Sequence, residues 1–116
     1  MGQVNLVRIA QHHVSAKGSI TVRTGLSGRE PWPGTVPTAM VNAALEGFVR
    51  AAALDASNGI RINAVSPIFV TETAIQMGMD KAGTMSAIET SKAYQSCVAG
   101  DMTGQVFDVR DYGKVE

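Results

Sequence analysis

Gly59-Ile60-Arg61-Ile62-Asn63-Ala64-Val65-Ser66-Pro67 sets an apolar run between a helix stop and a proline. Ile60 to Val65 reads as a strand, and Ser66-Pro67 ends it. Asn58-Gly59, residue types that tolerate a left-handed cap, stop the helix before it. That helix runs from about 38 to 56. Val41, Leu45, Phe48, Val49 and Ala52 recur at helical spacing, while Asn42, Glu46 and Arg50 fall off that stripe. Ala43, Ala44, Ala51, Ala52 and Ala53 favour the helix and leave room for a second helix close by.

Outward from this pair, residues 25–37 read as a loop, broken by Gly25, Gly28, Pro31, Pro33, Gly34 and Pro37. Ser19 to Thr24 reads as a strand, with Ile20 and Val22 alternating against polar neighbours. Residues 4–14 read as a short helix, with Val4, Val7, Ile9 and Ala10 towards one side, ended by Lys17-Gly18. On the other flank, 67–84 reads as a mobile loop containing Gly78 and Gly83. Ser86-x-x-Glu89 is a capping box opening a helix to about Val98. A turn at Gly100–Gly104 leads to a last strand at Gln105–Val109 and a polar tail. Strand, helix, strand, helix, strand predicts parallel βαβ units. The expected fold is α/β: a partial Rossmann-like unit of three parallel strands with flanking helices, forming a single domain over 1–116. Its parts are a helix (1–17), a βαβ core (18–66), the loop (67–84), and the last helix and strand (85–116). Three parallel strands are few for a complete domain, since parallel sheets are normally covered on both faces.

Ten basic residues balance ten acidic ones, which argues against a nucleic-acid binder. The lone Cys97 cannot form an intrachain disulfide or a cysteine-based zinc site. No apolar run approaches the roughly 20 residues that span a bilayer. The expectation is a cytoplasmic protein. His12-His13 reads as a solvated helix end, and Cys97 as a buried structural thiol. Glu30-Pro31-Trp32-Pro33-Gly34 reads either as a lid or as a proline-braced turn. Met77, Met79 and Met85 read as gap fillers rather than a pocket lining.

Asn42-Ala43-Ala44-Leu45-Glu46, Ala52-Ala53-Leu54, the run 59–67 and Thr103-Gly104-Gln105-Val106-Phe107-Asp108-Val109 together resemble the C-terminal half of the short-chain dehydrogenase/reductase family. The resemblance implies a doubly wound sheet, an NAD or NADP cofactor, and hydride transfer to or from a carbonyl or alcohol. In that family a tyrosine and a lysine four residues apart do the proton work, helped by a serine. Here Thr38 falls at the tyrosine position, Asn42 at the lysine position and Thr24 at the serine position. Thr38 and Asn42 read either as a replaced catalytic pair or as ordinary early helix residues. An aliphatic hydroxyl has no accessible anion near pH 7, and an amide carries no charge to lower a neighbour's pKa.

Pro67, Ile68, Val70, Thr71 and Thr73 match the loop that touches the nicotinamide, with Ile68 in place of a glycine and Glu72 between the threonines. The family's Gly-rich phosphate-binding half has no counterpart in the sequence, so the chain alone is expected to bind no cofactor. Two functions stay open. One is an oxidoreductase-like half that needs a chain supplying the rest. The other is a non-catalytic binding or assembly domain. The resemblance also implies a homo-oligomer joined through the helices at 4–14 and 38–56; charge balance, hydropathy and the lone cysteine lead to the expectation of no nucleic-acid or membrane partner and no metal.

Overall fold

The computed structural model describes residues 2–116; only Met1, the first residue of the expected 1–17 helix, lies outside them. Helix α1 spans Gly2–Ala10, strand β1 Ser19–Arg23, helix α2 Val36–Asp55 and strand β2 Arg61–Ser66. The short helix α3 follows at Thr71–Gln76, then helix α4 at Ala87–Ala99 and strand β3 at Val106–Asp108. Single 3-10 turns occupy Leu26–Gly28 and Val109–Asp111.

The three strands lie side by side in the order β1-β2-β3, all parallel, with Val22 opposite Ala64 and Ala64 opposite Val106. This is the Rossmann-like α/β arrangement expected. Alternation along the strands sends apolar side chains to two cores. On one face Val22, Ile62 and Ala64 pack with Leu45 and Val49 of α2 and Val7 of α1. On the other, Val65 and Phe107 pack with Ala93 and Cys97 of α4, Met85 and Val109. The helices therefore cover both faces of the sheet, as parallel strands require.

The run 59–67 stabilises this arrangement through its polar residues as well as its apolar ones. Arg61 donates to the carbonyls of Cys97 and Val98 at 3.0 and 2.9 Å, satisfying the last turn of α4. Asn63, fully buried, donates to the carbonyl of Met102 at 2.8 Å and accepts from the Gln105 amide at 3.0 Å. One side chain thus fixes the turn that leads into β3.

Several boundaries differ from expectation. Helix α1 ends at Ala10, and Lys17 turns the chain with φ 64. Ile9 is exposed, so only Val4 and Val7 face the core. Helix α2 begins at Val36, because Pro37 sits in the first turn, where its missing N–H has no bond to lose. The segment 67–84 is not a loop throughout. It carries α3, a parallel bridge from Val70 to Met85, and the Thr71–Thr84 hydroxyl pair at 2.8 Å. Ser86 caps α4 by accepting from the Glu89 amide at 3.1 Å. The reciprocal half of the capping box is replaced: the Glu89 carboxylate accepts from the Lys114 amide instead. That bond and the Met85–Val115 bridge tie the tail to the body of the protein.

Candidate functional site

A cleft of about 1030 Å³ opens where β1 and β2 end and α2 begins. Thr24, Thr38 and Asn42 line it from one side; Pro67, Ile68, Val70 and Thr73 line it from the other. Seven of the eight residues singled out from sequence therefore converge on one cavity. Thr71 is the exception, buried with its hydroxyl against Thr84 and absent from the lining. Trp32 also lines the cleft while remaining 55% exposed, and its backbone N–H and C=O are both bonded to the Thr35 hydroxyl. The segment is thus closed on itself by Thr35, and its tryptophan borders the cleft. Met85 is core; Met77 and Met79 are exposed outside the lining.

The hydroxyls have separate hydrogen-bonding assignments. Thr24 follows β1 directly, anchored by its amide on the Val65 carbonyl at 2.9 Å. Its hydroxyl donates to Glu46 Oε1 at 3.1 Å, with the Val65 carbonyl as a longer alternative at 3.4 Å. Thr38 donates to the Thr35 carbonyl at 3.1 Å. Asn42 donates from Nδ2 to Ser27 Oγ at 2.9 Å, and Ser27 faces Thr38 Oγ1 at 3.4 Å. The turn carrying Ser27 lies hard against α2. A Cβ on Gly25 would sit 2.7 Å from Asn42 Nδ2, and one on Gly28 would sit 2.9 Å from the Ala43 nitrogen. Asn42 is thus the side chain onto which this glycine-flanked turn closes.

Beside the cleft runs a charge network that the helical periodicity did not reveal. Glu46, assigned from sequence to the polar side of α2, is 2% exposed. Arg29 from the loop meets it at 2.6 Å and also donates to Ser66 Oγ at 3.0 Å and Asp108 Oδ2 at 2.9 Å. Arg110 joins Asp108 to Glu30 at 2.7 and 2.5 Å. Burial alone would raise the Asp108 pKa. The hydrogen bonds from the Arg110 side chain and backbone, and from Arg29, outweigh it and hold the carboxyl below its usual range. The Arg110 hydrogen bond likewise lowers Glu30, and Arg110 itself is pushed up by Asp108 and Glu30. The sequence signal was the i, i+4 spacing of Asn42 and Glu46, which places both on the face that meets the loop.

His12 and His13 are exposed beyond the end of α1, and Cys97 is buried with its sulfur 3.5 Å from the Thr21 hydroxyl. Among the described residues no group of three or more His, Cys, Asp or Glu could hold a metal, and no helix is long and apolar enough to cross a membrane.

The family model for enoyl-(acyl carrier protein) reductase matches residues 1–107. The chain belongs to the short-chain dehydrogenase/reductase family. Among solved structures, a protein from Listeria innocua is 32% identical over 93% of this chain and 55% of its own, with a TM-score of 0.85. A short chain dehydrogenase/reductase family protein is 32% identical over 96% of this chain and 53% of its own, with a TM-score of 0.78. A small-chain dehydrogenase solved in complex with NADPH is 27% identical over 92% of this chain and 56% of its own, also at 0.78. The chain therefore spans about half the length of these three structures. No curated protein matches it. The kinship is with oxidoreductases of the Rossmann-like class.

Proposed function

We propose that this chain forms the substrate-facing half of an NAD(P)-dependent carbonyl or alcohol oxidoreductase site and does not turn over by itself. The observation that carries the reading is the convergence of Thr24, Thr38 and Asn42 with Pro67, Ile68, Val70 and Thr73 on one cleft. The apolar wall and the Thr73 hydroxyl suit the nicotinamide end of the cofactor, which supplies hydride chemistry when bound. Nothing comparable serves the pyrophosphate: among the described residues no strand leads into a G-x-G-x-x-G turn. The one small-molecule complex among the relatives named, with NADPH, supports NAD(P) as the cofactor class.

The proton chemistry of such a site needs a group with a pKa near working pH. Thr38 is an aliphatic alcohol already donating to a carbonyl, and Asn42 is neutral and holds a turn. Both facts favour a half-site that is silent alone. Calorimetry of the full chain with NADPH and NADH, followed by ketone-dependent NADPH consumption, tests this. Binding weaker than micromolar and no turnover are expected. A micromolar dissociation constant, worth about 8 kcal/mol, would overturn the reading, since a nicotinamide wall alone does not supply that much.

A second reading, an assembly domain, is favoured by the outer face of α2. Met40, Ala43, Ala44, Gly47, Ala51 and Leu54 recur there at helical spacing and are all exposed. Leu6 and Ile9 of α1 are exposed as well. We infer that this surface joins two copies of the chain.

A further inference from the structure

Resting on the reading of the cleft as a carbonyl site, we propose that the hydroxyl which binds the ligand's carbonyl oxygen is Ser27, not Thr24. A hydroxyl has one proton to give. Thr24 gives its proton to the carboxylate of Glu46 at 3.1 Å, and a charged acceptor makes that the stronger kind of bond. With its proton committed there, Thr24 can only accept, and a carbonyl oxygen needs a donor. Thr38 gives its proton to the Thr35 carbonyl at 3.1 Å. Thr35 gives its own to the Trp32 carbonyl at 2.6 Å.

Ser27 differs from all three. It accepts from Asn42 Nδ2 at 2.9 Å, so one lone pair is occupied and the hydroxyl is oriented. Its proton meets only Thr38 Oγ1, at 3.4 Å, beyond the usual range for an O–H···O bond. Among these four hydroxyls, the Ser27 proton is the one that a ligand oxygen can take without breaking a good bond. Position supports the assignment. Ser27 is buried yet lines the cleft. Its turn is held against α2 by close approaches, Gly25 to the Asn42 amide and Gly28 to the Ala43 backbone, where an added Cβ would lie 2.7 and 2.9 Å from Asn42 Nδ2 and the Ala43 nitrogen. Asn42 thereby acquires a role at the cleft, as the positioning residue for Ser27.

The test is a titration of the full chain, followed by two-dimensional NMR, with cyclohexanone and with methylenecyclohexane. The second probe has the same shape but no acceptor oxygen. Cleft resonances should shift with both, and cyclohexanone should bind more tightly. Ser27→Ala should weaken cyclohexanone about fivefold and leave methylenecyclohexane unchanged, the worth of one neutral hydrogen bond. Ser27→Thr should retain cyclohexanone binding, and Thr24→Val, which alters the cleft wall for both probes alike, should leave the ratio of the two affinities unchanged. Nuclear Overhauser contacts in the unmodified chain give a check that needs no variant: the ketone's α-protons should reach Ser27 Hβ. Loss of cyclohexanone in Thr24→Val with none in Ser27→Ala, or contacts to the Thr24 methyl without Ser27, overturns the assignment but keeps the carbonyl site. Equal affinity for the two probes, or no binding of either, overturns both.

Discussion

Arg29 reaches Glu46 across the gap between the loop after β1 and the middle of α2, at 2.6 Å, and the carboxylate it meets is closed off from water. Arg29 also holds Ser66 at the end of β2 and Asp108 at the end of β3. One guanidinium therefore gathers the loop, the helix and two strand ends beside the cleft.

Removing it should be costly. Arg29→Met leaves Glu46 buried with only a distant Arg50 at 4.0 Å and the Thr24 hydroxyl as partners. Loss of one partner of a buried pair costs about 3 kcal/mol, and the part-exposed Arg29 places the expected value at or below that. Urea unfolding measures it. The double variant Arg29→Met with Glu46→Leu should regain part of the loss, because no unpaired charge then remains.

The acid limb of stability should depend on Asp108. Its folded-state pKa lies below the ordinary 3.8, so its contribution is complete above the unfolded value and disappears as pH falls through the folded one. Stability due to this group should hold from pH 7 to about pH 5 and decline below about pH 4. Asp108→Asn should lower stability at pH 7 and flatten that decline. Thermal melts across pH 2.5–7 would show both, and an unchanged acid limb would remove Asp108 from the account.

Asn42→Lys should destabilise the chain rather than restore a catalytic pair. The side chain at 42 fills the space between Gly25 and Ser27, and a lysine stem there must push the turn off α2. Overpacking of this kind costs about 1–3 kcal/mol. Gly28→Ala should cost a similar amount, because its Cβ would lie 2.9 Å from the Ala43 backbone nitrogen, and Gly25→Ala less, because its Cβ meets only the tip of the Asn42 side chain. Circular-dichroism melts of the three variants are the measurement, and wild-type stability in Asn42→Lys would show that the turn yields.

These outcomes bear on what could be read from the chain alone. The succession of elements and the parallel sheet were legible because Ile62 and Ala64 alternate along β2 and the stripe from Leu45 to Val49 keeps helical spacing. Thr24, Thr38 and Pro67 were singled out through the family resemblance, and the parallel βαβ arrangement brings the strand ends and helix start that carry them to one cleft. The Arg29–Glu46 pair was not, because a charged residue beside an apolar stripe reads as solvated until the loop that covers it is placed. Ser27 was missed for a related reason. A serine between two glycines reads as turn chemistry, and its partner Asn42 lies 15 residues away. Helix α3 is six residues long, too short to show a period.

The last expectation concerns assembly. Helix α2 turns Leu45 and Val49 into the core and leaves Met40, 70% exposed, and Leu54, 87% exposed, on the opposite side with Ala43, Ala44, Gly47 and Ala51 between them. Small residues in the middle of such a face let a second helix approach closely, and a two-fold axis lets the same surface serve both chains. Exposed Leu6 and Ile9 of α1 enlarge the apolar surface available for burial. Light scattering at tens of micromolar should therefore report twice the chain mass of 12.2 kDa. Ala44→Glu, which sets two carboxylates against each other across the axis, should return the mass to that of one chain without unfolding it. A folded monomer in the unmodified protein would refute the dimer. A dimer that survives Ala44→Glu would move the contact to the outer edge of β1, where Gln3 bonds the backbone of Arg23.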